Sequence, residues 1–256
     1  MPLIRMKKVW DYCTYNKPFF LFVLFLFLVL NYVQEGVEWH SFNYVVALIC
    51  FVLIWGYGMS ITRDRIHGGY RLPKLLIKDI VTLGIKSSIV VSVYVLIQGV
   101  ILNFVCSPLG FSTFDLEEML IQLPETIHML FAHDPFNTLV FVVLGSILFY
   151  CTAFFMEIAL ARLADTGSFW SSFNLVTIKK IIDEIGWRNY AKDYTAIILA
   201  IGLFAFLGNI ALPNWLLNYI WVIILDLFMF ATQFLGIGAV YSTIKNSESE
   251  VPASEE

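Results

Sequence analysis

A carboxylate among apolar residues is the feature of this chain best placed to do chemistry. Asp226 lies ten residues into an apolar stretch that runs from about Leu216 to Tyr241. At helical rise that is about 15 Å, the depth of a bilayer midplane. A charged side chain there costs about 2.5–3.5 kcal/mol to insert, so its presence points to ion or proton binding, or to a hydrogen bond between helices. Gln233 follows seven residues later, on nearly the same helical face, and Gln98 sits at similar depth in the stretch from about Ser87 to Cys106. The three together can line a polar path for a cation or a proton. The structural alternative is a protonated or hydrogen-bonded Asp226 that pins helices together. Glu157 lies nearer the end of its own stretch, about a turn from Arg162, and is expected to reach along the helix to that guanidinium rather than to serve transport.

Other chemistries find no support. The chain has no GxSxG, HExxH, P-loop or GxGxxG pattern. His128 and His133 are five apart, off the i,i+4 spacing of a helical zinc pair, and no metal or cofactor is expected. Cys13, Cys50, Cys106 and Cys151 show no metal spacing and read as packing residues. No catalytic residue is nominated, and an enzyme is the least favoured class.

The elements that must position these residues are membrane spans. Only 14% of the residues are charged, against about 25% in soluble domains, while 59% are hydrophobic, as an exterior that faces lipid requires. Six stretches are long and apolar enough to span, taking about 20 residues each: about Pro18–Val33, Phe42–Ile61, Ser87–Cys106, Phe136–Leu160, Tyr194–Ala211 and Leu216–Tyr241. Pro213 and Asn214 divide the last two into a tight hairpin. No cleavage site follows the first, so it reads as an uncleaved span rather than a signal peptide.

All sixteen Lys and Arg residues then fall on one side: the N-terminus, the loops Thr62–Lys86 and Ala161–Asp193, and Lys245. The positive-inside rule places both termini in the cytoplasm of a multi-pass protein of the cell membrane. The net charge of −4 conceals basic inner loops under an acidic outer loop and tail, which makes nucleic acid an unsuitable partner. The domain reading is an amphipathic cytoplasmic segment over 1–17, a membrane domain over 18–245 and a disordered acidic tail over 246–256.

The inner loops carry helical patterns of their own. Leu72, Leu75, Leu76, Ile80 and Leu83 recur at helical spacing, as do Leu175, Ile178, Ile181, Ile182 and Ile185. Both segments predict amphipathic helices lying on the anionic inner leaflet. Lys179 with Asp183 and Lys180 with Glu184 are i,i+4 pairs, and Gly186 is a C-cap candidate. Arg63, Arg65, Arg71, Lys74, Lys78, Arg162, Lys179 and Lys180 form the basic face that would meet lipid or a membrane or cytoplasmic protein partner. In the outer loop Ser107–Pro135, Asp115 with Glu118 resembles a capping box and predicts two short helices. An internal repeat is suggested by Arg63, Gly68 and Tyr70 after the second span and by Arg162, Gly167 and Phe169 after the fourth; its units share one orientation, so the repeat would be parallel.

Gly56-Tyr57, Arg63, Gly68-Gly69 and Leu72-Pro73, with Ala159, Ala161, Arg162, Gly167, Ser168 and Phe173, resemble a group of bacterial and archaeal polytopic membrane proteins classed as a domain of unknown function. The resemblance covers roughly Phe42 to Ala211. The chain departs from it at Tyr70 and Arg71, where acidic residues are expected. It implies a helical bundle and no known activity, so no catalytic residue carries over. The expected fold is therefore an all-α polytopic membrane bundle of six spans with interfacial helices. The expected function is a membrane scaffold or assembly protein using its basic inner helices; the alternative is a small-molecule or ion transporter with a path near Asp226, Gln98 and Gln233.

Overall fold

The computed structural model describes residues 11–12, 15, 17–34, 42–69, 72–106, 134–210 and 213–249. Among them are seven α-helices, a short 3-10 helix at Trp170–Phe173 and no strand: α1 Lys17–Gln34, α2 Phe42–Ile66, α3 Ile77–Cys106, α4 Pro135–Thr166, α5 Leu175–Ile185, α6 Trp187–Gly208 and α7 Trp215–Ser249. Five helices, α2, α3, α4, α6 and α7, are long and apolar enough to cross a membrane, which makes this a multi-pass membrane protein. The first expected span is the exception. Its apolar helix covers only Phe20–Asn31, and all eighteen residues of α1 reach about 27 Å, just short of the roughly 30 Å hydrocarbon core.

The chain forms two compact units. The larger holds residues up to Ser88 and from Glu157 onward; the smaller is Ile89–Met156. In the larger unit α7 is central and packs on α1, α2, α5 and α6. Over its most apolar window α7 buries 56% of its residues and α2 44%, against 17% for α6, so the α2–α7 pair is the core.

Small residues set how closely these helices approach. A Cβ on Gly56 would stand 1.9 Å from the Ile80 carbonyl oxygen, and one on Gly84 2.1 Å from that of Val52, so α2 and the start of α3 cross backbone to backbone. On its other side α2 meets α7. A Cβ on Gly58 would strike the Phe234 ring at 2.4 Å, and one on Gly238 would stand 2.9 Å from the Thr62 carbonyl oxygen. Thr62 Oγ1 donates to the Phe234 carbonyl at 3.0 Å across the same contact. Without a hydrophobic drive between helices in lipid, such close approach supplies the attraction through dispersion. Gly56 and Gly58 thus serve as helix contacts.

The first inner loop differs from expectation. Residues 72–76 are not helical, with the Leu76 N–H on the Lys74 carbonyl at 3.0 Å, and the amphipathic stretch that follows is the opening of α3 rather than a separate interfacial helix. No proline interrupts the run after Pro73, and Gly84 is kept helical by the Val52 contact. Thirty residues give α3 about 45 Å, so it extends well past one hydrocarbon core and carries Lys78, Asp79 and Lys86 beyond the apolar part. The second inner segment is a separate helix as expected. Asn174 Oδ1 accepts from the Thr177 N–H at 3.1 Å, and Gly186 ends α5 at φ 87° with its N–H on the Ile182 carbonyl. Lys180 and Glu184 lie 3.8 Å apart. Asp183 accepts instead from Trp187 Nε1 at 2.5 Å.

The smaller unit contains the remaining parts of α3 and α4. Asp134 opens α4 by accepting from the Asn137 N–H at 3.2 Å, ahead of Pro135 in the first turn. The two short helices expected within Ser107–Pro135 fall almost wholly outside the described residues. At the far end of the chain α7 runs to Ser249, into the stretch expected to be the acidic tail.

Candidate functional site

Each intramembrane carboxylate of the larger unit is held by an amide from another helix. Glu157, toward the C-terminal end of α4, is buried and accepts from Gln233 Nε2 of α7 at 2.9 Å. It was expected to reach Arg162 on its own helix. Arg162 instead has a buried Nη1 with no hydrogen-bond partner among the described residues. Asp226, half-buried on α7, accepts from Asn31 Nδ2 of α1 at 3.1 Å, and the same amide donates to the Phe27 carbonyl at 3.0 Å. The polar groups expected to line one path are thus divided between two helix pairs. Gln98 belongs to the smaller unit, where it is half-buried. Asn31 is a functional residue that sequence reading misses: its partner lies 195 residues away, and no local pattern connects them.

The second grouping lies where the end of α2 meets the start of α3. Thr62 is the last buried polar residue of α2 before the basic stretch; Arg63 and Lys74 are exposed, while Ile66, Leu72 and Ile80 are buried. A cleft of about 280 Å³ opens there. α2 and the turn after it contribute Ser60, Arg63, Asp64 and His67, the following segment contributes Pro73, Lys74 and Leu76, and α3 contributes Asp79 and Leu83. Tyr57 Oη holds that segment by donating to the Pro73 carbonyl at 3.2 Å. Two lining charges are occupied from within the chain. Tyr12 Oη donates to Asp64 Oδ2 at 3.1 Å, and His67 Nε2 lies 3.6 Å from Asp165 Oδ1. Arg63, Lys74 and Asp79 have no ion-pair partner among the described residues.

The two inner turns are tied to one another. Lys86 Nζ donates to the Gly167 carbonyl at 2.7 Å, and the His67–Asp165 contact links the same two turns. Gly68 at φ 82° ends α2 and Gly167 at φ 67° ends α4, each in the left-handed region that favours glycine. Of the remaining basic residues, Arg65 donates through Nη1 to the Gly69 carbonyl at 3.3 Å. Lys78, Lys179 and Lys180 are exposed, and Arg71 lies outside the described residues. Sequence reading missed Tyr12 and Lys86, whose roles depend on partners 52 and 81 residues distant.

No group of three or more His, Cys, Asp or Glu side chains among the described residues is placed to hold a metal ion. The family model described as "Protein of unknown function (DUF4013)" matches residues 40–213. No curated protein and no solved structure matches the chain.

Proposed function

The chain belongs to the DUF4013 family, and we propose that it is a scaffold or assembly protein of the cell membrane that works through its basic inner face. In this reading the chain crosses the membrane six times, with α1 as a short first span and both termini in the cytoplasm. The confinement of sixteen Lys and Arg residues to alternate loops supports that orientation. The turns at Arg63–Gly68 and Arg162–Gly167 are the matching points of a parallel repeat, supported by the shared positive φ of their glycines.

The observation that carries the scaffold reading is the pairing of Asp226 with Asn31 and of Glu157 with Gln233. A transport path needs polar groups left available to a moving ion. Here each carboxylate spends a hydrogen bond on a neighbouring helix, as interhelical ties do. Lys78 on α3 and Lys179 on α5, by contrast, are exposed with no ion-pair partner among the described residues, where they attract anionic lipid and acidic protein surfaces at about 1 kcal/mol per residue.

Charge reversal of Lys74, Lys78, Lys179 and Lys180 to Glu tests the proposal. Cross-linked membranes should lose the proteins that co-purify with the wild type, while Asp226→Asn should retain them. Unchanged pull-downs after the reversal would count against the scaffold. A proton or potassium flux in proteoliposomes, above that of empty vesicles and abolished by Asp226→Asn, would replace it with transport.

A further inference from the structure

We propose that the cleft between the inner ends of α2 and α3 binds the headgroup of a phospholipid carrying both a phosphate and a primary ammonium, as phosphatidylethanolamine does. The inference takes from the preceding reading only that this end of α2 lies at a bilayer surface. The cleft presents charges of both signs at close quarters. Tyr12 donates to Asp64, which keeps its negative charge, and His67 lies beside Asp165; the lining charges with no ion-pair partner among the described residues are Arg63 and Lys74 on the cationic side and Asp79 on the anionic side. A bare phosphate would meet the two cations but be repelled by Asp79. A bare ammonium would meet Asp79 against two cations. A zwitterionic headgroup satisfies all three, its phosphate on the guanidinium and ammonium and its amine on the carboxylate.

Size and surroundings point to a lipid rather than to a soluble zwitterion. At about 280 Å³ the cleft holds a headgroup and little more, since pockets that enclose a whole small ligand begin at roughly 300 Å³. Its apolar lining, Pro73, Leu76 and Leu83, lies beside the charges. At the rim Leu76 is 58% exposed and Ile77 70% exposed. These side chains continue into the apolar surface of α3 and give an acyl chain a track away from the charged end. A soluble ligand would have no use for that track.

Native mass spectrometry of the full chain in detergent, with equimolar phosphatidylethanolamine and phosphatidylglycerol of identical acyl chains, tests the site. Both lipids carry one phosphate; only the first carries an ammonium. The wild type should retain the ethanolamine lipid about tenfold more, the size of one charge-assisted hydrogen bond. Asp79→Asn should bring that ratio close to one, and Arg63→Gln should weaken both lipids. Equal retention by the wild type, or an unchanged ratio in Asp79→Asn, overturns the proposal. The wild-type ratio decides alone should either variant fail to fold. Glycerophosphoethanolamine distinguishes the sources: if it displaces the lipid at equal concentration, the ligand is soluble and the lipid assignment fails, whereas an undisturbed lipid adduct supports it. Loss of lipid preference with co-purifying partners retained removes this site alone. Partners indifferent to lysine reversal, with the preference intact, remove the scaffold alone.

Discussion

Glu157 and Gln233 show at the scale of single residues what a membrane does to polar groups. A carboxylate removed from water must find a donor, and the amide one helix away supplies it at 2.9 Å. Removing that donor leaves the carboxylate buried without a partner. Gln233→Ala should therefore destabilise the protein by about 1–2 kcal/mol, while Glu157→Gln, which keeps an acceptor oxygen in place, should cost less. In a double-mutant cycle with Glu157→Ala and Gln233→Ala, read by thermal unfolding in detergent, a coupling of about 0.5–1.5 kcal/mol is expected. A coupling of zero would mean that the bond contributes nothing to helix association. The presence of a costly carboxylate at 157 was legible in the sequence; its donor was not. Arg162 is the nearer group along the chain, but the bond goes to Gln233 on α7, 76 residues away.

Glycine placement governs the elements. Gly56 and Gly84 each face a carbonyl of the opposing helix, so neither tolerates a methyl group without the helices moving apart. Gly202 on α6 has nothing within 4 Å of where its Cβ would stand. Gly56→Ala should thus lower stability by about 1–3 kcal/mol or more, as overpacking does. Gly202→Ala should be neutral or slightly stabilising, because alanine is the better helix former by about 1 kcal/mol. Melting temperatures of the two variants in one detergent make the comparison; equal shifts would mean that the α2–α3 crossing is not close in the folded protein. The capped helix α5 was legible from its own residues, because Asn174, the apolar spacing and Gly186 are local signals. The continuity of α3 was not. Its amphipathic opening carries the same pattern as a free interfacial helix, and only the absence of a break before Ser87 joins it to the span.

For the whole molecule the decisive quantity is the distribution of charge across the bilayer. In the six-span arrangement Ser168, between α4 and the 3-10 helix, faces the cytoplasm and Asn214, at the start of α7, faces outward. In a background lacking Cys13, Cys50, Cys106 and Cys151, a membrane-impermeant thiol reagent on intact cells should label Asn214→Cys and spare Ser168→Cys. Lysis should expose the second site. Labelling of both positions from one side would require an even number of crossings between them and would undo the proposed topology. Neither substitution disturbs a buried group, since both residues are exposed.

The amino-acid sequence by itself determined that this is a helical membrane protein, five of the stretches that are long and apolar enough to cross, and where α5 begins and ends. Those properties are sums over neighbouring residues, and a chain in lipid must satisfy its backbone within each helix before any helix meets another. Tertiary structure alone decided that Asn31 answers Asp226, that Gln233 answers Glu157, that Lys86 reaches the Gly167 carbonyl, and that Arg63, Lys74 and Asp79 share a cleft. Each of these depends on which helix lies beside which. That is fixed by close packing at a few glycines and by the small number of donors available in a dry interior, and neither leaves a periodic trace along the chain.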